Sequence, residues 1–103
     1  MKNYTVKIMV DFTAPNIAAA QYILHARTEP DLNKGEKFTV PSRSLERIES
    51  FGCYGASVTF LNVQAVNSLA AGLLIGVKLA AGYAPGNDPN AFYFRSGEVT
   101  EVP

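Results

Sequence analysis

The sequence is poor in the residue types that most often carry chemistry. It has one cysteine, one histidine and no tryptophan in 103 residues. A single cysteine, Cys53, excludes an intrachain disulfide and a metal site built from several thiolates. The histidine and the scattered carboxylates give no pair of ligands at a useful spacing, so we expect no bound metal and no cofactor.

Charge is also scarce, and it is balanced. Nine basic residues match nine acidic ones, and charged residues make up only 17% of the chain. Without a net positive field the protein is not steered toward a phosphate backbone, which argues against nucleic acid as a partner. Hydrophobic residues reach 48%, enough for one buried core, so we expect a single folded domain over residues 1–103.

A long uninterrupted hydrophobic run is missing. The longest apolar stretch, residues 69–84, contains Lys78 and falls short of the roughly 20 residues that a bilayer core requires. The first ten residues carry Lys7 within the stretch that a signal peptide would keep apolar. We therefore expect no membrane partner and a cytoplasmic location, in keeping with the single cysteine.

An alternating pattern opens the chain. Within residues 4–12 the apolar side chains fall on one face, and Lys7, Met9 and Asp11 fall on the other. This period of two predicts a strand with one buried face.

Two helices are predicted. Thr13 is placed to cap the first, which opens at Ala14 and Pro15 and ends near Thr28, because Pro30 disfavours helical backbone at the residue before it. The second helix spans about 69–83, with Asn67 or Ser68 as its cap and glycine near its end.

The remaining strands are shorter. Residues 57–63 carry apolar groups on both faces and predict a central strand, and residues 91–95 predict an aromatic strand followed by a turn at Ser96 and Gly97. Residues 47–51 and 57–63 flank GCYGA, which favours a hairpin. A short helix from Ser44 to a glycine cap at Gly52 is the alternative.

The order strand, helix, strand, strand, helix, strand predicts an α+β domain of the ferredoxin-like βαββαβ plait. Its antiparallel sheet would carry both helices on one face, with an insertion at about residues 28–44. The opposite face stays open and is the first place to seek a binding site, formed by Lys7, Met9, Asp11, Tyr93 and Arg95.

The second helix has almost no polar side. A helix that packs on a sheet in a monomer is normally amphipathic. We therefore expect a second surface to bury the outer side of this helix. We predict an oligomer interface on it, formed by Leu69, Gly72, Leu73, Gly76, Val77 and Ala80. Two alternatives remain open: the insertion folds over this helix, or a different protein binds it.

Three further residues are candidates for binding. Tyr54 lies beside Cys53 between two glycines at the predicted hairpin tip, where backbone N–H groups can face a ligand. Arg43 and Arg47 belong to a local basic cluster. No spacing brings His25 near Cys53 as an activating base, so we assign no catalytic residue.

The segments LERI, YGASVTFLNV and VNSL resemble, in register and order, those of small dimeric α+β barrel proteins such as muconolactone isomerases and related monooxygenases. The resemblance covers about residues 45–83. It implies a plait whose open sheet face packs on a partner subunit, often around a small apolar ligand. None of the catalytic residues of those families can be matched here.

The first functional hypothesis is a small soluble protein-interaction module that self-associates and has no catalytic activity, with a second protein as a possible further partner. The alternative is a protein of the dimeric α+β barrel type that binds a small apolar molecule or acts on it without a cofactor. The third hypothesis is single-stranded nucleic-acid binding by stacking on exposed aromatic side chains.

Overall fold

The computed structural model describes residues 1–47, 52–80 and 92–103, with the backbone alone at Arg47 and Ala80. Along the chain lie β1 (Lys2–Thr13), α1 (Ile17–Thr28), a short 3-10 turn (Leu32–Lys34), β2 (Thr39–Arg47), β3 (Cys53–Ala65), α2 (Ser68–Ala80) and β4 (Tyr93–Glu101). The described part of the chain is thus a small α+β structure with the predicted element order.

The four strands form one antiparallel sheet in the order β2-β3-β1-β4. Strands β1 and β3 are the central pair, and β3 was predicted to be central because both of its faces are apolar. Strands β2 and β4 are the two edges. Among the described residues, no helix has the length and apolar content needed to cross a bilayer.

One face of the sheet carries the core. The alternation predicted for β1 is confirmed, since its even-numbered residues from Tyr4 to Phe12 are all buried. Both helices turn their buried residues into the same apolar cluster, which includes Ala20 and Leu24 of α1 and Ile75 and Leu79 of α2. On the odd-numbered side of β1 no helix of the described residues packs, and this side forms the open face.

A bulge in β3 changes the side on which Val63 lies. Tyr4 pairs with Val63 and Val6 pairs with Phe60, so β3 has one extra residue in this interval. Asn62 takes the left-handed conformation there, with φ of 60°. The strict alternation predicted for residues 57–63 placed Val63 opposite Phe60; with the bulge, both side chains are buried on the core face.

This bulge yields a testable expectation at Asn62. Left-handed backbone costs an ordinary L-residue about 1–2 kcal/mol, whereas asparagine and glycine tolerate it. We expect Asn62→Ala to lower the free energy of unfolding by about 1 kcal/mol and Asn62→Gly to leave it nearly unchanged, as measured by urea denaturation. A larger loss for glycine than for alanine would contradict the role of the bulge.

The first helix starts later than predicted. Thr13 is still paired with Cys53 in the sheet, and the Ala14 N–H donates to Gly52 O. The chain is therefore free to turn only afterwards, and Asn16 caps α1 by accepting from the Ala19 N–H at 2.8 Å. The predicted end at Thr28 is confirmed.

The second helix begins as predicted. The Asn67 side chain accepts from the Ala70 N–H at 2.8 Å, which confirms asparagine as the cap. The predicted extension of this helix over residues 81–83 lies outside the described residues.

β2 and β3 pair antiparallel, as the hairpin prediction requires, but the boundaries of the two strands differ from the prediction. β2 occupies residues 39–47, so the last third of the predicted insertion is strand, and the alternative helix is wrong for residues 44–47. Most of GCYGA belongs to β3 instead of the turn. Residues 48–51, the rest of the predicted strand and helix, lie outside the described residues.

The last strand is longer than the aromatic pattern indicated. A turn at Ser96 and Gly97 was wrong, because both residues continue β4 and pair with Met9 and Ile8. The register shift beside Met9 places one extra residue of β4 at Arg95. The strand therefore contains a β-bulge next to the predicted turn and continues beyond it. Ala91 lies outside the described residues.

Candidate functional site

The open face of the sheet is polar and rich in hydroxyl groups. Cross-strand pairing sets its side chains in rows, of which one holds Lys7 between Glu98 and Thr59, and the next holds Met9 between Ser96 and Ser57. Met9 is the largest apolar group in these two rows and is only partly exposed. This surface therefore offers little apolar area to a partner subunit.

Asp11 and Arg95 meet on this face. The Arg95 Nε lies 3.5 Å from Asp11 Oδ2, and both side chains are partly exposed. The other oxygen, Asp11 Oδ1, is buried and has no hydrogen-bond partner in the described structure. Tyr93 pairs with Asp11 across the strands, so three of the predicted binding residues do come together here.

Tyr54 lies on the other side of the sheet. It is buried in the core, with its ring centroid 6.2 Å from that of Phe12. The predicted role at an exposed hairpin tip required residues 52–56 to form the turn, whereas Tyr54 lies inside β3. The structure therefore gives Tyr54 a packing role.

Arg43 fastens an edge strand to a helix. Its Nε donates to the buried Thr28 hydroxyl at 2.6 Å, and its Nη2 donates to Glu29 Oε2 at 3.1 Å. Thr28 in turn donates to Leu24 O. These bonds engage the guanidinium at the end of α1, away from the open face. Arg47 closes β2 opposite Tyr54.

The second helix turns an apolar surface outward. Leu69, Leu73 and Val77, which recur every four residues, are 71%, 60% and 70% exposed, and we call them the outward stripe. Leu74 beside it is 41% exposed. Because Ala71, Ile75 and Leu79 on the opposite side are fully buried, the helix is apolar on both sides. The predicted insertion borders a crevice that Leu73 and Val77 also line, but it leaves both side chains exposed.

The single charged residue of α2 is directed away from the outward stripe. The Lys78 Nζ donates to Glu36 Oε1 at 2.6 Å and lies 5.6 Å from the centre of the Phe38 ring. Burial alone would raise the pKa of the Glu36 carboxyl. Hydrogen bonds from Lys78 and the Asp31 N–H, with the charges of Lys78 and Lys34, outweigh burial and hold that pKa below its ordinary range.

Two concave regions flank α2. An open crevice of about 920 Å³ separates it from the segment around Phe38 and contains the Lys78–Glu36 ion pair. A smaller groove of about 370 Å³ lies between α2 and β4. Gly72 and Gly76 border this groove, and the space above them is bounded by Val99 and Phe94.

The predicted interface residues thus divide into two groups. Leu69, Leu73 and Val77 face solvent, whereas Gly72 and Gly76 face β4 of the same chain and allow the helix to approach it closely. Ala80 is the last residue of α2. Sequence reasoning did not find Val99 as a neighbour of Gly72, because the predicted turn at Ser96 ended β4 too early.

The two residues considered for catalysis, His25 and Cys53, lie on different elements, α1 and β3. His25 Nε2 lies 3.2 Å from Glu29 Oε2 on the exposed side of α1, and Cys53 is a partly buried free thiol at the start of β3. Over residues 1–47, 52–80 and 92–103, no group of three or more His, Cys, Asp or Glu side chains could hold a metal ion. No protein-family model, curated protein sequence or solved structure matches the chain.

Proposed function

We propose that this protein is a small non-catalytic interaction module that associates with a second copy of itself through the outward stripe of α2. The observation that carries this proposal is the exposure of Leu69, Leu73 and Val77 on a helix whose one charge, on Lys78, is directed inward. Monomeric proteins seldom leave a contiguous apolar patch of more than a few hundred Å² in water.

The size of the effect fits reversible association. With Leu74, the exposed fractions of these four side chains add up to the equivalent of about two and a half fully exposed residues. Burial of one such residue contributes about 1.5–3 kcal/mol, so two copies gain roughly 7–15 kcal/mol before the association cost of about 4–15 kcal/mol. A net gain of about 4–8 kcal/mol lies within the difference of these two ranges and corresponds to dissociation constants from about 1 mM to 1 µM, the range in which we expect the dimer to form.

Electrostatics permits two copies to meet at this surface. The chain carries no net charge, so long-range repulsion between copies is small. The outward stripe itself bears no charge, and an apolar strip of this kind is self-complementary across a two-fold axis. A second copy therefore needs no matching charged surface.

The sheet order supports the ferredoxin-like plait as the fold of this module. Read from β4, the order is β4-β1-β3-β2 with every neighbouring pair antiparallel. In this arrangement α1 connects β1 to β2, which lie on either side of β3, and α2 connects β3 to β4, which lie on either side of β1. The buried sides of both helices share one core, as the plait requires.

The helix surface is a better interface than the open sheet face. The dimeric α+β barrel hypothesis needs an apolar open face, but the rows around Lys7 and Asp11 are polar. Base stacking needs adjacent exposed aromatics on one face. Tyr93 pairs with Asp11 on the open side, whereas Phe94 pairs with Val10 on the core side.

Sedimentation velocity from about 1 µM to 1 mM tests the proposal. We expect a concentration-dependent dimer in the wild-type protein. Leu73→Asp should weaken it by about 100-fold or more, because two carboxylates would have to be desolvated next to each other. Leu32→Asp is the matched control, since Leu32 is 78% exposed and lies outside α2. A wild-type monomer at 1 mM, or equal effects of the two substitutions, would overturn the proposal.

A further inference from the structure

The two edges of the sheet differ in how well they resist strand pairing. Edge β2 contains Pro41, has a register shift between Thr39 and Ser42, and directs Arg43 toward α1. Proline, bulges and inward charges are features that protect an edge from other strands. Edge β4 has no proline, and beyond its bulge at Arg95 the residues 96–101 pair with β1 in an unbroken register.

The helix that carries the outward stripe lies along β4. Among the strands, α2 makes its most extensive contact with β4, with Gly72 next to Val99 and Gly76 next to Phe94. Residues three or four positions apart share a face of a helix. Leu69 therefore flanks the glycine side of α2, away from the buried residues, whereas Leu73 and Val77 line the crevice on the other side of the helix.

We propose that the second copy joins this protein edge to edge, with β4 pairing antiparallel to β4 of the partner about a two-fold axis at Val99. This inference rests on the proposed self-association and specifies its geometry. The two sheets become one continuous sheet of eight strands with all helices on the same side. Leu69 of the outward stripe then lies near the seam, and the half-exposed Phe94 gains cover.

The side chains of β4 favour one register. Residues directly opposite in a two-fold pair must lie on the same face, so the axis passes through a residue. An axis at Glu98 sets two glutamates against each other, which is destabilising. An axis at Val99 sets Glu98 opposite Thr100 of the partner subunit and Gly97 opposite Glu101 of the partner subunit. Val99, on the helix side of β4, then meets its own copy.

Disulfide trapping tests this register. In a Cys53→Ser background, Val99→Cys places two thiols on opposite residues whose Cα atoms are about 4.5–5.5 Å apart, within the range a disulfide spans. Glu101→Cys is the matched control on the same strand and the same face. Its two copies would be offset by about 13 Å along the strands, and the substitution removes only the exposed ion pair with Lys2.

We expect Val99→Cys to cross-link at least ten times faster than Glu101→Cys under a mild oxidant, at a concentration where sedimentation shows the dimer. A second measurement mixes Gly97→Cys with Glu101→Cys, which should form the mixed dimer in preference to either homodimer. A Cβ at Gly97 meets its nearest atoms at 3.8 Å, an ordinary contact, so this variant should fold.

The outcomes separate the two proposals. If sedimentation shows a dimer that Leu73→Asp dissociates, but Val99→Cys links no faster than the control and the mixed pair shows no preference, the β4 register is wrong and self-association stands. If the protein sediments as a monomer at every concentration, both proposals fail.

Discussion

Replacement of Phe60 by alanine is expected to lower the free energy of unfolding by about 3–5 kcal/mol. Phe60 lies on the central strand β3 and is fully buried. Its ring meets that of Phe38 edge-on, with centroids 5.5 Å apart, so truncation removes both apolar burial and an aromatic contact. A domain of this size has a total stability of about 5–15 kcal/mol, which makes this loss a large part of it.

Urea denaturation followed by circular dichroism measures this effect. The midpoint should fall with little change in slope, since the surface exposed on unfolding stays nearly the same. All samples need one protein concentration, because self-association adds to apparent stability. Tyr22→Ala is the control: it removes an aromatic ring that is 75% exposed on α1 and should cost less than about 0.5 kcal/mol. Equal losses for the two variants would contradict the position of the core.

Local patterns in the sequence were enough to predict the regular elements. The alternation in β1 marks one buried face, and each residue on that face is buried in the structure. The N-terminal cap of α2 was also predictable, because asparagine before a helix accepts a backbone N–H whatever the tertiary context. The α+β class follows from the order of these elements.

Tertiary pairing decided what the sequence did not reveal. The bulges at Asn62 and Arg95 each add one residue to a strand, and a single added residue moves every later side chain to the opposite face. The start of α1 was predicted too early because the pairing of Thr13 with Cys53 depends on a strand forty residues away. A pattern of single residues carries no direct sign of such pairing.

The candidate site, too, was predictable where it depends on local sequence and not where it depends on tertiary pairing. The apolar character of α2 was visible in the sequence and predicted Leu69, Leu73 and Val77 as interface residues. The edge position of β4 was not visible, since it depends on the order of strands in the sheet. The ion pair between Glu36 and Lys78, 42 residues apart, was equally hidden, although it explains why the one charge of α2 leaves the outward stripe apolar.

Glu36→Gln is expected to cost about 2–3 kcal/mol, somewhat less than the value for a fully buried ion pair. The side chains of Lys78 and Glu36 are only 11% and 17% exposed, so the substitution leaves the Lys78 ammonium in a poorly solvated position. Lys78→Met in the same background removes that charge and should restore part of the loss. The double-mutant cycle should give a coupling of about 1–2 kcal/mol. The exposed pair Lys2–Glu101, tested with Glu101→Gln, is the control and should show a much smaller loss, because water and salt screen exposed charges.

The same ion pair predicts a dependence on pH. Because the pKa of Glu36 is lowered in the folded protein, this carboxyl binds a proton more weakly in the folded state than in the unfolded chain. Its contribution to stability is therefore complete above the ordinary glutamate pKa of about 4.3 and is lost as the pH falls through the lower folded value. Urea midpoints measured from pH 7 to pH 3 should fall more steeply for the wild-type protein than for Glu36→Gln, so that the two curves converge at low pH. A constant separation between the curves at all pH values would show that the Glu36 carboxylate does not stabilise the folded state through Lys78.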